Sequence, residues 1–82
     1  MHMKAILAVD FAAKATGTSL VEISHALGKS ERYVHTTKSR GSTPRCDIIA
    51  AMLEVCGWRL VAVPARDVPE SGIVLDSWND RA

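Results

Sequence analysis

The stretch from residue 19 to residue 38 predicts two short helices joined by a very tight turn. Ser19 and Glu22 form a Ser-x-x-Glu sequence, in which each side chain can satisfy a backbone donor at the start of a helix. Gly28 supplies the positive φ that a sharp helix end requires, and Ser30 is placed to cap the next helix. The apolar stripe of the first of these helices consists of Leu20, Ile23 and Leu27. Two helices this short need further elements to pack against.

Two more helices are expected on either side of this pair. Residues 3–15 are rich in good helix formers, with Leu7 and Phe11 on one face at a four-residue spacing. Thr43 followed by Pro44 is typical of a helix start, and Gly57 of a helix end. The expected core face of this last helix comprises Ile48, Ile49, Met52, Leu53 and Cys56.

After Gly57 the hydrophobic period changes from helical to alternating. Residues 58–63 alternate in a way that predicts a β-strand, and Ile73 to Leu75 form a second short apolar run beyond a turn-rich segment. We therefore expect a mainly α domain over residues 3–57 and a C-terminal β-strand or hairpin over residues 58–78. At 82 residues the whole should form one compact domain.

The charges are distributed unevenly, although the net charge is only +1. From residue 29 to residue 45 the one acid is Glu31, whereas the basic residues are Lys29, Arg32, Lys38, Arg40 and Arg45. From residue 64 onward the balance is reversed, with Asp67, Glu70, Asp76 and Asp80 against Arg66 and Arg81. One end of the molecule is thus suited to phosphate and the other to protein.

Other functional classes find little support in the sequence. His25, His35, Cys46 and Cys56 lack the paired spacing of zinc ligands, and no phosphate-binding glycine loop or catalytic motif is present. We expect no enzyme activity, metal or cofactor. No apolar run approaches the roughly 20 residues of a membrane span, and two cysteines do not suggest a secreted disulfide framework, so a cytoplasmic location is expected.

The segment from Ser19 to Arg40 resembles the helix-turn-helix of the Cro/repressor-like family, also called the xenobiotic response element family. The resemblance rests on small Ser24, on Gly28 four residues later and on β-branched Val34 six residues beyond that. A Gly41-x-x-Pro44 loop and Gly57 extend it over about residues 4–63, with departures from the family pattern at Leu20, Lys29 and Thr37. It implies a four-helix Cro/repressor-like domain that binds double-stranded DNA.

In this family the third helix lies in the major groove, which assigns roles to particular side chains. The base-reading candidates are Glu31, Arg32, His35 and Thr36. The candidates for phosphate contacts are Ser19, Lys29, Ser30, Lys38, Ser39, Arg40 and Arg45. Surface Lys and Arg more often only solvate a face, so these roles depend on the helix-turn-helix arrangement.

Specific recognition by one short helix normally requires two copies of the protein, so we expect a homodimer. The strand over residues 58–63 is apolar on both faces and is expected to pair across a two-fold axis, unless it only covers its own helices. The expected interface comprises Trp58, Leu60, Val61, Val63, Ile73 and Leu75.

Three functions are compatible with these features. The first is a homodimeric transcriptional regulator that represses by occupying its operator. The second is an antitoxin-like protein whose C-terminal half binds a toxin-like partner protein, with DNA binding serving autoregulation. The third is an interaction module with a degenerate helix-turn-helix, which contacts from Arg32 and Lys38 to the acidic C-terminal half would favour.

Overall fold

The computed structural model describes residues 1–77 and is mainly helical. Its helices are α1 (Ala5–Thr16), α2 (Leu20–Ala26), α3 (Tyr33–Arg40) and α4 (Cys46–Val55), followed by one 3-10 turn at Ala65–Asp67. Two short strands, β1 (His2–Met3) and β2 (Val74–Leu75), form a parallel pair. Within residues 1–77 no helix has the length and apolar character that crossing a membrane requires.

The core lies where all four helices meet. Its largest fully buried side chains include Val9 from α1, Ile23 from α2, Val34 from α3 and Met52 from α4. The core residues of α1 and α4 recur three, four or seven positions apart, as expected for amphipathic helices that share one core. The four predicted helices are therefore confirmed, and so is most of the core face predicted for α4.

The signals that start and end α2 are confirmed in detail. The Glu22 backbone N–H donates to Ser19 Oγ at 3.0 Å, and the Ser19 N–H donates to Glu22 Oε1 at 3.3 Å, which completes the capping box. At the other end Gly28 has a φ of +70°, and the Lys29 N–H donates to the Ser24 carbonyl at 3.0 Å. Hydrogen bonds between residues 19 and 29 thus fix both ends of α2.

The predicted starts of α3 and α4 are wrong by a few residues. Ser30 does not cap α3, because its carbonyl accepts from the Tyr33 N–H at 3.0 Å in a preceding turn and the helix begins only at Tyr33. Thr43 and Pro44 do not open α4, because Arg45 is still extended with a ψ of 155°. In both cases an additional turn or extended residue separates the start signal from the helix.

The face of α1 that carries Leu7 and Phe11 is not the core face. These two side chains do lie on one side of the helix, but both remain about 40% exposed, at 42% and 40%. The buried side of α1 carries Ile6, Val9 and Ala13, which follow the same helical period displaced by about one residue. From this outward position Phe11 contacts Trp58 of the C-terminal segment.

The C-terminal segment differs most from expectation. The strand predicted over residues 58–63 is wrong, because this run pairs with no strand among residues 1–77. The Trp58 N–H donates to the Leu53 carbonyl at the end of α4, while the Trp58 and Leu60 side chains pack against the core.

A C-terminal strand is present at Val74–Leu75, but it does not form a hairpin. It pairs in parallel with β1, with His2 opposite Val74 and Met3 opposite Leu75. A hairpin would require residues 58–63 to fold back as a strand, but Trp58 and Leu60 of this run pack against the helices. Residue 78, the last of the predicted extension, lies outside the described residues.

Candidate nucleic-acid interface

A buried hydroxyl joins α2 to α3. Ser24 is fully buried, donates from Oγ to the Leu20 carbonyl at 2.9 Å and accepts from the Val34 N–H at 3.2 Å. The first backbone donors of a helix have no partner within that helix, and α3 has no side-chain cap of its own. Ser24 therefore acts as a cap supplied by the neighbouring helix, a role that its small size at the helix crossing only partly suggested.

The base-reading candidates lie on or next to the outward side of α3. Val34 is buried against α2, whereas His35 is exposed and Thr36 is half-buried. Glu31 and Arg32 are exposed in the turn that precedes the helix. At 100° per residue Arg32 and Thr36 project almost opposite Val34, so the structure brings these side chains to one solvent-facing surface.

Most of the phosphate-contact candidates are exposed. The exposed members are Ser19, Lys29, Ser30, Ser39, Arg40 and Arg45. Ser19 is already engaged in the capping box, and Arg45 donates to Asp47 at 3.1 Å across a pair whose side chains are both largely exposed. Such an exposed ion pair is weak and opens readily toward another anion.

Lys38 differs from the other cations of this group because it is held by an acid on α1. Its Nζ lies 3.1 Å from Asp10 Oδ2, and Lys14 Nζ lies 3.0 Å from the same oxygen. Burial alone would raise the pKa of Asp10, but hydrogen bonds and charge from Lys14 and Lys38 outweigh it and hold that pKa below its ordinary value. Asp10 thus fixes α3 against α1 as an ionised carboxylate.

Asp10 was not among the candidate residues, although the sequence contained a signal for it. It is an acid within an apolar helix and stands four residues before Lys14, a spacing that pairs opposite charges. Its second partner, Lys38, is distant in sequence and depends on how α1 and α3 pack. The contact also shows that Lys38 faces α1 and not the acidic C-terminal half.

A second cation lies over the aromatic ring of α3. Lys29 Nζ is 5.4 Å from the centroid of the half-buried Tyr33 ring, within the range of a cation–π contact. The turn between α2 and α3 therefore carries its positive charge directly beside the first turn of α3.

The residues predicted to form a dimer interface surround one apolar groove. The groove has a volume of about 480 Å³, and its walls include Trp58, Leu60, Val61, Val63, Ile73 and Leu75. Trp58 meets Phe11 edge to face at a centroid distance of 6.1 Å. Val61 and Val63 are 65% and 45% exposed. The structure brings the six residues together without the strand that was expected to do so.

The described residues hold no cluster of three or more His, Cys, Asp or Glu side chains that would suit a metal ion. Cys46 is exposed, whereas Cys56 is buried, and burial raises the pKa of its thiol. A buried thiol of this kind packs as a small apolar side chain.

Comparisons with protein-family models, with curated proteins and with solved structures find no match to this chain. No family is therefore shown for it, and its function has to be inferred from the helices and side chains themselves.

Proposed function

We propose that this protein is a sequence-specific DNA-binding regulator of transcription that acts in the cytoplasm as a homodimeric repressor. In this proposal α2 and α3 form a helix-turn-helix of the Cro/repressor-like kind. Its main support is the way α3 is held: the Val34 side chain is buried and its N–H donates to Ser24 of α2, while Arg32 and His35 are exposed and Thr36 is half-buried.

The exposed side chains match the groups that base edges offer in the major groove. Arg32 can donate two hydrogen bonds to O6 and N7 of guanine, and Glu31 can accept from the amino group of cytosine. The Thr36 methyl group can contact the methyl group of thymine. The exposed Lys29 and Arg40 flank this surface and suit the phosphates on either side.

Lys38 has a different place in the proposal from that of the other cations. Because Asp10 already binds its ammonium group, a phosphate contact from Lys38 would first have to break this ion pair. We therefore assign Lys38 mainly to holding α3 against α1. This contact keeps the proposed recognition surface, formed by Glu31, Arg32, His35 and Thr36, in a fixed orientation.

Dimerisation would supply the second recognition helix that operator binding needs. The apolar groove around Val61 and Val63 is the surface available for it, and binding of two copies to one operator would exclude polymerase. The interface would then lie on the C-terminal segment and leave α3 free.

Selection from a random duplex library tests this proposal. Wild-type protein should enrich one motif, and Arg32→Ala should relax the preference at one base position, because the paired donors to guanine are lost. Arg66→Ala is the matched control, since Arg66 is also exposed but lies in the C-terminal segment. Absence of any enriched motif, or an equal effect of the two variants, would contradict base reading by Arg32.

A second candidate function is favoured by the same apolar groove. An antitoxin-like protein would bind a toxin-like partner protein there and use DNA binding to regulate its own synthesis. Sedimentation equilibrium with Val61→Asp distinguishes the two uses. A wild-type dimer that Val61→Asp converts to monomers supports the homodimer, whereas a wild-type monomer that still binds DNA favours the partner protein.

A further inference from the structure

A small polar cleft runs along one side of α3, next to the proposed recognition surface. It has a volume of about 230 Å³ and is lined by Ser30, Tyr33, Thr36, Thr37, Arg40 and Ser42. Pockets for small organic ligands span roughly 300–1,000 Å³. The cleft is therefore of a size for one polar group and not for a whole ligand of that kind.

The cleft is a direct consequence of the helical period and of the turn that ends α3. Tyr33, Thr37 and Arg40 recur at spacings of four and three residues and so form one stripe. Gly41 has a φ of +66°, and the Ser42 N–H then donates to the Thr37 carbonyl at 3.2 Å. This turn brings Ser42 back beside the stripe.

The side chains of the cleft have unused hydrogen-bonding capacity. Thr37 is the exception, because its hydroxyl donates to the Tyr33 carbonyl at 2.8 Å. Within residues 1–77 the hydroxyls of Ser30, Thr36 and Ser42 make no hydrogen bond, and the Arg40 guanidinium makes neither a hydrogen bond nor an ion pair. Among the described residues these donors have no protein acceptor, so an external anion can bind them in place of water.

The charge among the lining residues of the cleft is positive. Arg40 is the charged member of its lining, and the Lys29 ammonium group lies 5.4 Å from the Tyr33 ring centroid at one side. No carboxylate is among the six lining residues. A guanidinium with several hydroxyl donors is a donor set suited to an oxyanion, and guanidinium geometry matches the paired oxygens of phosphate.

We infer that this cleft is the binding site, below called the seat, of one phosphate oxyanion, supplied by a phosphodiester of the DNA backbone. Arg40 would contact the oxyanion, with hydroxyl donors from Tyr33, Thr36 and Ser42. The inference rests on the proposed function and makes it more specific. It adds Tyr33 and Ser42 to the interface, and it moves Thr36 from reading a base to holding the backbone.

The salt dependence of binding to a short duplex tests the seat. The logarithm of the binding constant falls with the logarithm of salt concentration. If Arg40 neutralises one phosphate, Arg40→Gln should make this negative slope shallower by about 0.9. Ser42→Ala should weaken binding several-fold, and Thr36→Val should weaken binding to all sequences equally without relaxing any base position. Arg66→Gln serves as the matched control and should change nothing. Thermal melts of each variant establish that it is folded.

The possible results separate the seat from the proposed function. If wild-type protein binds the duplex and Arg40→Gln keeps the full slope, the seat is overturned while DNA binding stands. If no duplex binds, titration with inorganic phosphate, followed by NMR at the amides of Thr36, Arg40 and Ser42, decides between two results. Saturable shifts that Arg40→Gln abolishes would assign the seat to free phosphate and overturn DNA as its source, and the absence of shifts would overturn both.

Discussion

The helical part of the chain, residues 5–57, and the segment that follows it, residues 58–77, are stabilised in different ways. The helices share one buried core, and α2 begins and ends with hydrogen bonds between residues close in sequence. The later segment packs Trp58 and Leu60 against this core, is exposed throughout residues 61–71, and pairs its strand β2 with β1 over two residues. Signals within the sequence are thus sufficient to predict an element when its capping partners are close in sequence, and insufficient when its partner is distant.

The helical part was largely predictable for this reason. Capping by Ser19 and Glu22, the glycine at position 28 and the helical spacing of apolar residues all act within a few residues of chain. The cap that Ser24 provides for Val34 was not predictable in the same way, because it spans ten residues and depends on how α2 and α3 cross.

The C-terminal segment was predicted less well because alternation does not specify a partner. Residues 58–63 have the period of a strand, yet Trp58 and Leu60 pack on the helices, where their apolar surface is removed from water. Val74–Leu75 pairs instead with His2–Met3, at the opposite end of the chain. No turn sequence connects these two strands, so the pairing could not be predicted from a hairpin signal. The six residues predicted for a dimer interface line one groove of the chain, and their role in dimerisation stays a prediction.

The largest contrast between the two parts is expected from truncating one apolar side chain in each. Ile23→Ala removes a fully buried side chain and should lower the free energy of unfolding by about 3 kcal/mol. Val61→Ala, in the exposed segment, should change it by less than about 0.5 kcal/mol at a protein concentration at which the chain is monomeric. Urea denaturation measures both, and similar losses would mean that the segment is part of the core.

A smaller contrast concerns two serines that both precede α3. Ser24→Ala leaves the buried Val34 N–H without its acceptor and should cost about 1–2 kcal/mol. Ser30→Ala should be close to neutral, because Ser30 Oγ caps nothing in the structure. Chemical denaturation of the two variants side by side checks this. The reverse order would restore Ser30 as the cap of α3.

The smallest effect is expected for the ion pair between α1 and α3. Asp10→Asn should lower the free energy of unfolding at pH 7 by about 1 kcal/mol. Because the pKa of Asp10 is lowered by folding, this stability is present above its unfolded-state pKa and is lost as pH falls through the folded-state pKa. The difference between wild type and variant should therefore shrink in acid.

Asp47→Asn is the control for this prediction, since Asp47 pairs with Arg45 while both side chains are largely exposed. It should have no measurable effect at either pH. A loss for Asp10→Asn that is independent of pH would show that Asp10 contributes by packing and not by charge.

The most direct test of DNA binding by α3 is an NMR titration of labelled protein with a short duplex at low salt. The predicted result is a set of salt-sensitive amide shifts over residues 29–42 and near Ser19, with residues 58–77 changing little. Shifts confined to residues 58–77, or no shifts at all, would contradict the central claim that the outward side of α3 binds DNA.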